Sequence, residues 1–243
     1  PAASSNVELT VPSTVNSTFD DAAGVCGLVN ADNGAKITNC VNKANVTSTS
    51  SYVGGIAGWV DSKSNFAIDN CSNEGNIKGG RSVGGICGSV RTGNITNSKN
   101  SGAVEATLTN NNISDKGVDL NGVGGIVGFA NGSFVSRCSN SGTVTCVNKG
   151  GGILGHGSWY TVSYCSNTGT VSSNGFGVNG GIVGSAWDNA NILNCQNDGE
   201  VNGTFKSGWT GGIVGSARSA GKTGKRVIAI KNCVNNGKVN VAG

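Results

Sequence analysis

The stretch that decides the fold is Gly124-Gly125-Ile126-Val127-Gly128-Phe129-Ala130-Asn131-Gly132-Ser133-Phe134-Val135-Ser136-Arg137-Cys138-Ser139-Asn140-Ser141-Gly142-Thr143-Val144. It holds two motifs. The first, Gly-Gly-Ile-x-Gly, recurs at 54–58, 84–88, 151–155, 180–184 and 211–215, with a degenerate copy at 23–27. The second is a cysteine followed at two-residue steps by Asn, Gly and Val. Its cysteine column reads Cys40, Cys71, Ser98, Cys138, Cys165, Cys195 and Cys233. The asparagine column is unbroken: Asn42, Asn73, Asn100, Asn140, Asn167, Asn197 and Asn235. The glycine column has one exception, Ala44, and the last column is Val46, Ile77, Val104, Val144, Val171, Val201 and Val239.

Copies follow one another at intervals of 27 to 40 residues, and the variation falls in two connectors, one after each motif. A period of that size indicates a solenoid, a propeller or a helical array. No copy carries a helical apolar period, and a blade of four strands does not fit in 27 residues. Each copy therefore reads as one coil. The expected fold is a single-domain, all-β parallel β-solenoid (β-helix) of about seven coils with three short strands per coil. It occupies residues 23–243, with 1–22 as an N-terminal strand, cap or extension built on the run Val7–Val11. Seven coils at the inter-strand spacing of about 4.8 Å make a rod of about 34 Å.

In a solenoid each side chain stacks on its own copies, so a column must tolerate itself as a neighbour. Isoleucines at 56, 86, 126, 153, 182 and 213 suit an aliphatic ladder. Stacked asparagines can link their amides along the axis at a buried turn. The steps of two put the cysteine, asparagine, glycine and valine columns on one side, the interior.

Composition agrees. The 243 residues include 42 Gly, 33 Asn, 28 Ser and 18 Thr but 2 Pro and no Met, and 12% are charged. Collagen and helical bundles are excluded by that balance. A hydrophobic share of 36% is too high for a disordered tail, and no apolar run is long enough to span a membrane as a helix. Seven Asn-x-Ser/Thr sequons are present, as many as a chain this rich in those residues carries by chance.

The pairing of Gly124–Gly128 with Cys138–Val144 resembles the GLUG-motif repeats of bacterial extracellular and surface proteins, including adhesin-like chains and non-catalytic parts of some immunoglobulin A peptidases. The resemblance covers roughly residues 23–243 and implies a scaffold. The family typically has Leu where this chain has Ile. No peptidase signature accompanies the repeats, so that activity does not carry over.

Nine cysteines raise the question of metal or disulfides. No Cys-x-x-Cys occurs and no histidine lies between the one nearby pair, Cys138 and Cys146, so a zinc site is not expected. The ladder cysteines, Cys40, Cys71, Cys138, Cys165, Cys195 and Cys233, are expected to be buried thiols acting as small hydrophobes. Catalysis finds little material: His156 lies between glycines, and the best acidic group, Asp188, Asp198 and Glu200, suits a solvated surface. The chain is expected to be no enzyme and to need no cofactor.

Charge is polarised along the chain. Residues 1–35 carry −4, residues 36–203 carry +1 and residues 204–243 carry +7. In a solenoid these are opposite tips. The expectation is head-to-tail self-association, with Asp20 and Asp21 facing Lys222, Lys225 and Arg226 of the next copy, because terminal coils leave strand edges unpaired. The basic tip lacks interleaved aromatics, so nucleic acid is not an expected partner. Tryptophans 59, 159 and 187 follow the Gly-Gly-Ile-x-Gly element in three coils and are candidate glycan contacts.

The expected role is that of an extracellular or cell-surface structural protein, a fibre subunit or adhesin scaffold whose partner is itself or the rest of a longer surface protein. The alternative is a carbohydrate-binding module or polysaccharide-active enzyme on the same scaffold. The chain has no apolar leader and starts at Pro1, which suggests a mature or trimmed form.

Overall fold

The computed structural model describes residues 14–18, 20–31, 34–107, 121–175, 177–204, 208–219 and 226–241. Among them the regular secondary structure is strand, paired parallel from coil to coil in four sheets. The chain is an all-β parallel β-solenoid. Seven registers are separated by six inter-coil steps, giving about six turns against the seven coils expected.

One coil shows the plan. Lys149–Gly151 belongs to a seven-stranded entry sheet, Leu154–Ser158 and Thr161–Ser163 to a twelve-stranded long sheet, Ser166–Asn167 to a seven-stranded asparagine sheet, and Val171–Ser173 to an eight-stranded valine sheet. A coil therefore has up to five segments rather than three strands. Two local features make the extra breaks. The first glycine of Gly-Gly-Ile-x-Gly starts a tight turn, so a Cβ on Gly84 would stand 2.8 Å from the carbonyl carbon of Cys87. Ahead of each cysteine position, a residue in the left-handed region separates the long sheet from the two-residue asparagine strand. In two coils the long-sheet segments run on through the middle corner as single strands, Ala57–Asp69 and Cys87–Thr96, with a shift of register between them at Arg91–Gly93.

The interior is two apolar compartments, not one. The larger stacks Ile56, Ile86, Ile126, Ile153 and Ile182, all fully buried, with the ladder cysteines against them. The smaller stacks Val46, Ile77, Val104, Val144, Val171 and Val201 with Val53, Val83 and Val123. Full burial of each aliphatic side chain stabilises the rod by about 1.5–3 kcal/mol. The cysteine and valine columns both face inward, as their spacing requires, but into different compartments.

At the N-terminal end, Thr14–Ser17 pairs in parallel with Asn45–Ser48 and extends the valine sheet by one strand. Val15 packs against the smaller core. The run Val7–Val11 lies outside the described residues.

Candidate functional site

The wall between the two compartments is a stack of amides. Each Asn Nδ2 donates to the carbonyl two residues on in its own coil, and the six from Asn42 through Asn197 donate also to the Oδ1 of the asparagine in the next coil. The inter-coil distances from Asn42 through Asn235 are 2.7, 2.7, 2.8, 2.8, 2.8 and 2.7 Å. The backbone carbonyl fixes the amide orientation, since only the nitrogen can donate to it. All seven amides therefore point the same way, and the ladder has a direction.

Glycine is required around this wall by close approach. The second glycine of Gly-Gly-Ile-x-Gly lies against the asparagine of its own coil in all seven copies, from Gly24 with Asn42 to Gly212 with Asn235. The glycine two residues after each asparagine lies on the carbonyl of its counterpart below: a Cβ on Gly142 would stand 2.7 Å from the carbonyl carbon of Gly102. Ala44 opens that column, with no earlier Asn-x-Gly turn beneath its methyl.

All nine cysteines are free thiols. In the ladder each donates to the carbonyl two residues earlier, as Cys138 does to Ser136 and Cys165 to Ser163, at 3.4 and 3.3 Å. Ser98 keeps the same bond to Thr96 at 2.8 Å, which is why a serine fits the column. Burial pushes the Cys71 thiol up to about 11, and those of Cys87 and Cys146 up to about 12. Cys165 and Cys195 are raised chiefly by the thiol below each of them, Cys138 and Cys165 respectively. Such thiols are poor nucleophiles and poor metal ligands at neutral pH.

The ends carry the candidate assembly residues. Asp20 accepts hydrogen bonds from the Ser51 N–H at 2.8 Å and from the Ser50 hydroxyl. Asp21 has a left-handed backbone, and burial followed by the Asp20 charge raises its carboxyl. Arg226 forms an ion pair with Asp188 inside the chain. Lys222 and Lys225 lie outside the described residues. Asp20 and Arg226 thus already have partners in their own chain.

Ile230 and Val239 continue the buried columns of Ile192 and Val201, yet both are exposed. Asn235 donates to the Gly237 carbonyl at 2.8 Å, while its second N–H has no acceptor among the described residues.

The tryptophans are not gathered into one strip. Trp59 is half-buried, stacked on Tyr52 at 5.1 Å with Arg91 over its ring. Trp187 meets His156 edge-on at 5.5 Å, with the Lys149 ammonium 5.9 Å from its ring centre. Trp159 is exposed at a turn of the long sheet. By register, Trp59 aligns with Ser89, Phe129 and His156, whereas Trp187 aligns with Arg91, Asn131 and Ser158. The His156 ring is buried between Phe129 and Trp187, with Nδ1 3.1 Å from the Ser185 carbonyl. Asp198 and Glu200 bond Asn236 and Asn240 of the next coil, while Asp188 bonds Arg226.

Two features escaped the sequence reading. The left-handed position before the cysteine column is Asn39, Asn70, Asn97, Arg137, Tyr164, Asn194 and Asn232. Asparagine at five of seven places was the available signal, since Asn tolerates that region better than most side chains. The other is Gly132 beside Phe134, at outward positions where the residue type is not repeated from coil to coil and so left no periodic trace.

Fold and columns together define a parallel β-solenoid repeat protein. Within it, residues 49–78, the second coil with its Gly54–Gly58 and Cys71–Ile77 elements, match the family described as "The GLUG motif". No curated protein and no solved structure matches the chain.

Proposed function

We propose that the chain is a non-catalytic structural rod outside the cell, a fibre subunit or surface-adhesin scaffold, that extends by stacking a second copy of itself head-to-tail. The direction of the asparagine ladder carries this reading. A second copy that places Asn42 Oδ1 over the unused N–H of Asn235 continues the ladder, whereas two C-terminal ends brought together would oppose donor to donor. The same stacking covers Ile230 and pairs the edge of the asparagine sheet, and it seats Val239–Val241 on Asn45–Ser48 of the second copy in place of that copy's own Thr14–Ser17. A joint between unlike ends does not close on itself and yields a filament. Strand pairing and apolar burial supply the affinity; Asp20 and Arg226, engaged within the chain, contribute little to it. The enclosed His156 and the raised thiols support a non-catalytic role, and the Asn- and Gly-rich, charge-poor composition supports an extracellular one.

The test is sedimentation of the purified chain over a wide concentration range at low and high salt. Mass should grow with concentration and persist in salt, and Ile230→Lys with Val239→Lys should return it to monomer without changing far-ultraviolet circular dichroism. A chain that stays monomeric at high concentration and low salt overturns the polymer.

A further inference from the structure

The corner joining the two halves of the long sheet bears an open recess of about 370 Å³, lined by Thr92, Gly93, Asn94, Gly132 and Phe134. It lies in the middle of the rod, away from both ends, so it is independent of self-stacking. Register explains how it forms. Arg91, Asn131 and Ser158 pair in sequence, as do Asn94, Phe134 and Thr161. Between those pairs, Thr92, Gly132 and Trp159 stack as one corner column, all with left-handed φ of 51°, 63° and 58°. The middle member has no side chain. A gap one coil high is left between threonine below and tryptophan above.

Packing does not demand glycine there. A Cβ on Gly132 would approach nothing closer than the Thr92 hydroxyl at 3.4 Å, and both neighbours hold the same backbone conformation with full side chains. The open step is therefore a feature of the surface rather than of the core. Beside it stand two of the largest exposed apolar side chains, Phe134 at 58% and Trp159 at 53% exposure. The Asn94 amide and Thr92 hydroxyl face the same recess, and none of the five lining residues is charged.

We propose that this corner binds a neutral oligosaccharide. A sugar ring has an apolar face that packs on an exposed aromatic ring and a rim of hydroxyls that needs amide and hydroxyl partners, and the recess offers both within one coil step. The volume suits one or two sugar rings, whereas a protein partner would need an apolar patch several times larger. A uronate or sulfate would find no cation in the lining. Phe134 is the stacking platform, Thr92 the floor, and Asn94 the donor and acceptor.

The experiment uses the intact chain on an array of neutral and anionic oligosaccharides, followed by titration of cellohexaose, mannohexaose and chitohexaose with tryptophan fluorescence as readout. Saturable binding of a neutral sugar is expected. Phe134→Ser and Gly132→Asn should each weaken it tenfold or more. Asn keeps the left-handed backbone but fills the gap, and unchanged circular dichroism and melting would show that the fold is intact. Tyr164→Ser, an exposed aromatic outside the recess, should leave affinity unchanged. Absence of binding to every neutral sugar, retention confined to anionic glycans, or affinity that survives both Phe134→Ser and Gly132→Asn would overturn the assignment.

Discussion

Gly152 lies against the side-chain amide of Asn167, so close that a Cβ on the glycine would stand 2.6 Å from Nδ2. Fifteen residues separate the two, and each belongs to a different motif. Their contact is what makes one coil of the two motifs: the chain pinches inward at the glycine, and the pinch divides the two apolar compartments. Gly152→Ala should cost about 3 kcal/mol or more, since the methyl also meets the Gly181 carbonyl of the next coil and the paired backbones cannot both give way. Gly132→Ala, whose Cβ would meet nothing closer than the Thr92 hydroxyl at 3.4 Å, should cost only the left-handed backbone at φ 63°, about 1–2 kcal/mol. Urea midpoints measure the difference; equal midpoints would remove close approach as the reason for the glycine column.

Position along the ladder should set the cost of losing an amide. Asn140→Ala strands the N–H of Asn100, the Oδ1 of Asn167 and the Gly142 carbonyl, all buried. Each stranded group costs about 1–3 kcal/mol. Asn42→Ala removes one inter-coil bond at the end of the stack, to Asn73. The interior variant should be destabilised at least twice as much, and its protection from hydrogen exchange should drop in the coils on both sides. Equal destabilisation at the two positions would mean that the amides do not act as a connected ladder.

The buried thiols set an alkaline limit. Cys87 and Cys146 are raised from 9.0 to about 12 by burial. A raised folded value means that the native state holds its protons longer than the unfolded chain. Stability from these groups is intact below about pH 9 and is lost as pH rises from 9 toward 12. Each contributes a loss of about 1.4 kcal/mol per pH unit in that window. Chemical unfolding at pH 7, 9 and 10.5 should show a flat response and then a fall, and Cys146→Ala, though less stable at pH 7, should show a shallower fall. Labelling of the six buried thiols should stay slow in the folded chain across the neutral range. Rapid labelling of Cys87 at pH 7 in folded protein would contradict its burial.

The repeat columns were readable because self-stacking imposes the same side chain at every step: an amide must meet an amide, and a close carbonyl must meet a glycine. Thus Asn140, Gly142 and Val144 carried their structural roles in their spacing. The division of the core was not readable, because cysteine and valine columns share one inward parity and only the bend at Gly151–Gly152 sends them to different compartments. Gly132, Phe134 and Trp159 stand at outward positions where the residue type changes from coil to coil, so periodicity had nothing to say about them. The engagement of the charged residues was not readable either: Asp20 and Arg226 are held within the chain by contacts 30 or more residues away in sequence, which no repeat spacing announces.

Tyr164 offers a gain in stability. It occupies the left-handed column before the cysteines at φ 54°, a region that costs an ordinary side chain about 1–2 kcal/mol. The tyrosine ring is 62% exposed, so little burial is lost by replacing it. At the equivalent corner of other coils, asparagines pair along the axis: Asn70 donates to Asn39 at 2.7 Å and Asn232 to Asn194 at 3.2 Å. Tyr164→Asn should relieve the strain and place an amide beneath Asn194, raising stability by about 0.5–1.5 kcal/mol. Tyr164→Val should do the reverse, because a β-branched side chain tolerates positive φ least. Arg137, one coil below at φ 52°, is the natural partner. Arg137→Asn together with Tyr164→Asn should exceed the sum of the single gains, since the new amides would bond each other. Thermal melts of the four variants decide the matter; a Tyr164→Asn chain that melts at or below the parent temperature would show that the corner stores no strain.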